Sequence, residues 1–110
     1  MLSQDELERV ERVCRERIAK ATALGVRVGP NGPLLMMPGY KETCLLGAIC
    51  GPWTEFIPDY REKAAGIIGL SKDDAYSIEA GFEGWRETPT NDALYVIGQK
   101  LRAECLGVRS

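Results

Sequence analysis

Apolar residues recur at steps of three and four along the start of the chain. Leu7, Val10, Cys14, Ile18, Ala21 and Leu24 share one face of a helix, and Glu8, Arg9, Glu11, Arg12, Arg15, Glu16 and Lys20 occupy its other side. Ser3-Gln4-Asp5-Glu6 has the form of a capping box, in which the serine hydroxyl and the glutamate carboxylate each take a backbone N–H of the first turn. Leu2 and Leu7 stand where a hydrophobic staple closes, and Gly25 supplies a stop, so the pattern predicts a helix over residues 4–24. One apolar stripe under a mixed-charge face is the pattern of a packed surface helix.

Val26-Arg27-Val28 then alternates, Gly29-Pro30-Asn31-Gly32-Pro33 has turn chemistry, and Leu34-Leu35-Met36-Met37 runs on to Pro38-Gly39, which predicts a small β-hairpin. Its glycines lack the spacing and the following lysine of a phosphate loop. Residues 42–50 show no period-two polar alternation and little charge, which predicts a short buried helix; Gly47 and Ala48 leave room for a neighbour and Gly51-Pro52 ends it. Asp59 can cap a helix carrying Ala64, Ala65, Ile67 and Ile68 up to Gly69. Ser71 can cap the next, with Asp74 at its third position and Ala75, Ile78 and Phe82 on one face before Gly84. A last helix starts at Thr90 or Asn91, suits Asp92 to its first turn, carries Leu94, Ile97, Leu101 and Cys105 as its stripe, and stops at Gly107. It is expected to pack antiparallel or obliquely on the others. The expected fold is α+β and predominantly helical: four or five short helices around one core with a small β-hairpin, the 110 residues forming a single compact domain.

Charge narrows the functional classes. Fourteen basic and sixteen acidic residues leave a formal charge of −2, which argues against general nucleic-acid binding through phosphate attraction. Residues 54–92 hold four basic and nine acidic side chains, so the field of this stretch favours a basic ligand over an anionic one. Histidine is absent, which removes every Ser-His, Cys-His and His-metal arrangement. No apolar run approaches a membrane span and the acidic opening is unlike a targeting segment, so a cytoplasmic setting with reduced thiols is expected for Cys14, Cys44, Cys50 and Cys105.

Cys44 and Cys50 stand six apart, off a common helical face, and no close cysteine pair or histidine completes a zinc set; no metal and no cofactor is expected. Cys14 and Cys105 sit in the apolar phases of the first and last helices and read as buried thiols. The acidic run around Asp73-Asp74 lacks the glycine and alternation of a calcium loop. Glu79 and Glu83 stand four apart on one helical face, where like charges disfavour the isolated helix and attract a basic partner. Trp53, Phe56 and Ile57 form the densest aromatic and aliphatic patch, with Tyr60 as its extension. The leading expectation is a non-catalytic protein-interaction or regulatory module using Trp53, Phe56 and Tyr60 as anchors with Glu79, Glu83 and Asp92 as positioning acids. The alternative is a small enzyme using carboxylates or an activated cysteine, Cys44 or Cys50 near Asp92.

Cys44-Leu45-Leu46-Gly47-Ala48-Ile49, Ala64-Ala65-Gly66-Ile67-Ile68-Gly69-Leu70-Ser71, Gly81-Phe82-Glu83-Gly84-Trp85 and Asn91-Asp92 together resemble small uncharacterised bacterial and phage-associated proteins with a Cys-Leu-x-Gly-Ala segment. The resemblance spans roughly residues 44–102. It implies no reaction, and it singles out Cys44, Gly47, Ala48, Asn91 and Asp92 for inspection.

Overall fold

The computed structural model describes residues 2–33, 41–51, 59–85 and 91–107. Five helices and two short strands follow one another as α1 (Gln4–Ala23), β1 (Arg27–Val28), β2 (Glu42–Thr43), α2 (Leu45–Cys50), α3 (Tyr60–Ile68), α4 (Lys72–Glu83) and α5 (Asp92–Gly107). Each helix start is held by the group its local sequence supplies. Ser3 and Glu6 complete the capping box of α1. Asp59 accepts from the Glu62 N–H, Ser71 from that of Asp74, and Asn91 from that of Leu94. These bonds satisfy donors that no earlier turn can take.

The fold is mostly helical with a small two-stranded sheet, and the partner of β1 departs from the expected hairpin. β1 pairs with β2 in parallel, Arg27 opposite Glu42 and Val28 opposite Thr43. The Arg27 N–H donates to the Lys41 carbonyl at 2.8 Å and the Gly29 N–H to the Thr43 carbonyl at 3.0 Å. The proposed second hairpin strand, Leu34-Leu35-Met36-Met37, lies outside the described residues. Gly29-Pro30-Asn31-Gly32-Pro33 lies against β2: the Pro33 carbonyl accepts from the Cys44 N–H at 2.9 Å and from the Thr43 hydroxyl at 3.1 Å. A Cβ on Gly32 would fall 2.6 Å from the Thr43 carbonyl. Parallel strands need a crossover of about a dozen residues or more, and residues 29–41 provide that length.

The core gathers Val10 and Cys14 of α1, all six residues of α2, Ile68 of α3, Ile78 and Phe82 of α4, and Leu94 and Leu101 of α5. Complete burial explains why α2 shows no polar alternation. The α1 stripe holds through Ala21; Leu24, at the helix end, is 56% exposed and does not join the core. The mixed-charge face of α1 is also less purely solvated than its pattern suggested. Arg15 bonds both Glu11 and Glu104, Lys100 reaches Glu11 at 3.4 Å, and the Arg9 guanidinium donates to the last helical carbonyl of α3, at Ile68.

The tightest interface is α4 on α5. Gly81 and Gly98 meet there, backbone on backbone. A Cβ on Gly98 would lie 2.8 Å from the Phe82 nitrogen and closer still to the Ile78 carbonyl oxygen; one on Gly81 would overlap the Tyr95 carbonyl. The Asn91 N–H donates to the Ser77 hydroxyl at 3.1 Å, whereas the Arg102 guanidinium packs over Gly84. Contacts therefore advance in the same direction along both helices, and α5 packs on α4 in a parallel sense, not the antiparallel one expected as one of two arrangements.

Glycines of similar appearance then differ in sign on substitution. Gly98→Ala is expected to lower stability by about 1–3 kcal/mol or more, because the added methyl meets backbone that cannot yield. Gly66→Ala, on the exposed side of α3 with open space around it, is expected to raise stability by about 0.5–1 kcal/mol. Leu101→Ala, fully buried in α5, is expected to cost about 2–5 kcal/mol. Urea unfolding midpoints of the three variants check all three signs.

Candidate interaction site

The described residues place a guanidinium among aromatic rings between α3 and α4. Arg61, in the first turn of α3, has its guanidinium carbon 4.9 Å from the Tyr76 ring centre and 5.5 Å from that of Tyr60. Its Nε and Nη2 donate to one oxygen of Glu79 at 2.9 and 2.6 Å, and Nη2 also reaches the Tyr60 hydroxyl at 3.3 Å. Tyr76 and Glu79 stand three apart on α4, so one helical face supplies both the ring and the carboxylate. The chain then turns at Gly84, whose φ of +75° suits glycine, and the Trp85 N–H bonds the Ala80 carbonyl at 2.9 Å. That turn sets the Trp85 ring 5.9 Å from Tyr76, while the Trp85 carbonyl accepts from the Tyr95 hydroxyl at 2.7 Å.

Glu79 is 3% exposed, and its burial pushes the carboxyl pKa up; the bonds from Arg61 oppose that rise and the charge of Glu83 adds to it. Glu83, one turn on, accepts from the Asn31 N–H at 2.7 Å and ties the β1–β2 connection to the end of α4. Tyr60 and Glu79 are thus brought together through Arg61, with Glu83 alongside. Asp92 is exposed in the first turn of α5, and among the described residues no hydrogen bond or ion pair joins it to this cluster. Trp53 and Phe56 lie outside the described residues. Arg61, Tyr76 and Trp85 were not singled out from sequence, although the Tyr76–Glu79 spacing after a capped Tyr60-Arg61 pair was there to read.

Burial raises the pKa of three of the four thiols. Cys44 caps α2, its sulfur accepting from the Gly47 N–H at 3.4 Å, and burial pushes it up to about 11, with the Gly47 bond opposing and the charges of Glu83 and Glu79 adding. Cys50, whose thiol donates to the Tyr60 carbonyl at 3.3 Å, is also raised to about 11 by burial, and Cys14 to about 12. An activated cysteine needs the opposite shift. All four cysteines are free; Cys105 is half-buried rather than buried, because it edges a groove. Two adjoining cavities there, of about 440 and 240 Å³, share Ile18 and Cys105 between α1, β1 and α5. Among the described residues no cluster of three metal-ligating side chains occurs, and no helix is long and apolar enough to cross a membrane.

Two measurements follow from these shifts. Native-state alkylation near pH 7 is expected to label Cys105 first and Cys14, Cys44 and Cys50 slowly, as site-resolved mass spectrometry would show. Glu79 holds its proton more tightly folded than unfolded, so its contribution to stability is present below the ordinary glutamate value and is lost as pH rises through the raised folded value. Unfolding midpoints of wild type and Glu79→Gln measured upward from pH 4 should therefore diverge, the wild type losing stability relative to the variant across that window.

Comparison with protein-family models, curated proteins and solved structures finds no match for this chain. The positions singled out by resemblance have local structural roles here: Cys44 and Asn91 cap α2 and α5, Gly47 and Ala48 are buried in α2, and Asp92 opens α5.

Proposed function

We propose that the chain is a non-catalytic protein-interaction module, regulatory in action, that engages its partner through the face formed by Tyr60, Arg61, Tyr76 and Trp85. The observation that carries this reading is the cluster itself: three aromatic rings and a guanidinium set along α3, α4 and the turn that follows α4, beside a buried carboxylate and ending in a Trp85 that is 36% exposed. Tryptophan, tyrosine and arginine dominate the energetics of protein interfaces, and side chains already immobilised lose little entropy when a partner arrives. Glu79 and Glu83 serve this face from beneath, each bonded within the chain, and Asp92 offers an exposed charge at the start of α5. Trp53 and Phe56 belong to the same reading as further anchors, a few positions before Tyr60 in sequence. Four free thiols are in keeping with a reducing, cytoplasmic setting, and the resemblance points to a bacterial or phage source.

Capture from native lysate tests the proposal without choosing a ligand. A reproducible partner should be retained by wild type and reduced at least about tenfold by Trp85→Ala, Tyr76→Ala, Trp53→Ala or Phe56→Ala, the scale of a single hot-spot residue. No reproducible partner, or equal retention by all four variants, would sink it.

A further inference from the structure

We propose that Arg61 and Tyr60 form a two-donor receptor for a single oxyanion, carried on an acidic side chain that is flanked by apolar residues in a partner peptide. This rests on the interaction-module reading and names the partner's chemistry. Every hydrogen bond that Arg61 makes issues from Nε or Nη2. Among the described residues Nη1 makes no hydrogen bond, and it is not a buried unsatisfied atom in a side chain that is 26% exposed. The Tyr60 hydroxyl accepts from Nη2 and so keeps its own proton for another acceptor. Burial and the nearby Glu79 charge raise the Tyr60 pKa, which keeps that proton in place.

A guanidinium that already holds one carboxylate has capacity for a second, as this molecule shows elsewhere: Arg15 bonds Glu11 through Nη1 and Glu104 through Nη2. Among the described residues Arg61 has one carboxylate, with the guanidinium against the Tyr60 and Tyr76 rings and its Glu79 edge anchored. That is the preorganised state in which arginine selects planar oxyanions. Three acidic groups of these elements are already engaged: Glu79 by Arg61, Glu83 by the Asn31 N–H, and Asp59 by Lys72 at 2.9 Å. The wider stretch is net acidic and opposes anions in general, so the local Arg61 and Tyr60 donors have to outweigh it, which limits the ligand to one isolated oxyanion. Tyr76 and Trp85 offer the flanking residues their apolar surface.

The test uses the full chain and follows the Arg61 guanidinium and Trp85 indole resonances by NMR during titration with acetyl-Leu-Glu-Leu-amide. Matched peptides carrying Gln, phosphoserine or Lys in the middle are the other arms. The Glu or phosphoserine peptide should shift both resonances saturably and bind at least about tenfold tighter than the Gln peptide, the scale of one charge-assisted pair. The stronger of the two identifies the oxyanion as carboxylate or phosphate. Arg61→Lys should lose about tenfold, and Tyr60→Phe, which keeps the ring and removes the second donor, should weaken the Glu peptide while leaving the Gln peptide unchanged. Equal binding of the Gln peptide overturns the proposal, and so does preference for the Lys peptide. A lysate partner held equally by wild type and Arg61→Lys overturns this inference alone; the absence of any lysate partner removes only the broader reading.

Discussion

Two helices can approach until their backbones touch only where neither carries a side chain at the crossing. Gly81 and Gly98 meet that condition together, and the close approach of α4 to α5 decides what the rest of α4 can do. Its residues from Ala75 through Phe82, apart from half-buried Tyr76, are buried, which leaves Ile78 and Phe82 for the common core and turns Tyr76 and Glu79 toward α3. The aromatic and guanidinium stack is a by-product of that rotation: α4 cannot roll about its axis without driving a carbonyl into a glycine Cα.

Charge is used across this fold to join elements more than to decorate them. α3 ends without a basic residue in its last turn, and Arg9 of α1 supplies the missing cation at the Ile68 carbonyl. Glu79 is buried at a cost in solvation that Arg61 offsets only in part, and its carboxyl pKa is raised accordingly. Glu83 sits at the C-terminal end of α4, where the helix dipole disfavours a carboxylate, and its bond to the Asn31 N–H compensates. The cysteines behave as small apolar residues whose sulfurs fill backbone hydrogen-bond positions at the two ends of α2.

What was legible in the sequence was local. Ser3, Asp59 and Ser71 announce their helices because the donor they satisfy lies three residues on, and the stripe Leu94, Ile97, Leu101 follows directly from the helical period. What escaped was set by tertiary approach. Turn chemistry at Gly29-Pro30-Asn31-Gly32-Pro33 suggested a return of the chain, yet the partner of Val28 is Thr43, chosen by packing that no window of neighbours encodes. Gly81 and Gly98 read like Gly66 until the opposing helix is present. The acidic spacing of Glu79 and Glu83 suggested a surface for cations, and the fold had already given one of them Arg61 and the other a backbone N–H.

The ion pairs of Arg15 with Glu104 and Lys100 with Glu11 join residues 89 positions apart, so they close nearly the whole chain into a ring. The α4–α5 crossing joins neighbours in sequence and requires a loop of only a few residues. Loop-closure entropy makes the 89-residue ring the costlier of the two to close and the glycine crossing the cheaper. The same ion pairs hold the first helix and the last together at the surface, above the buried Val10 and Cys14 that anchor α1 in the core.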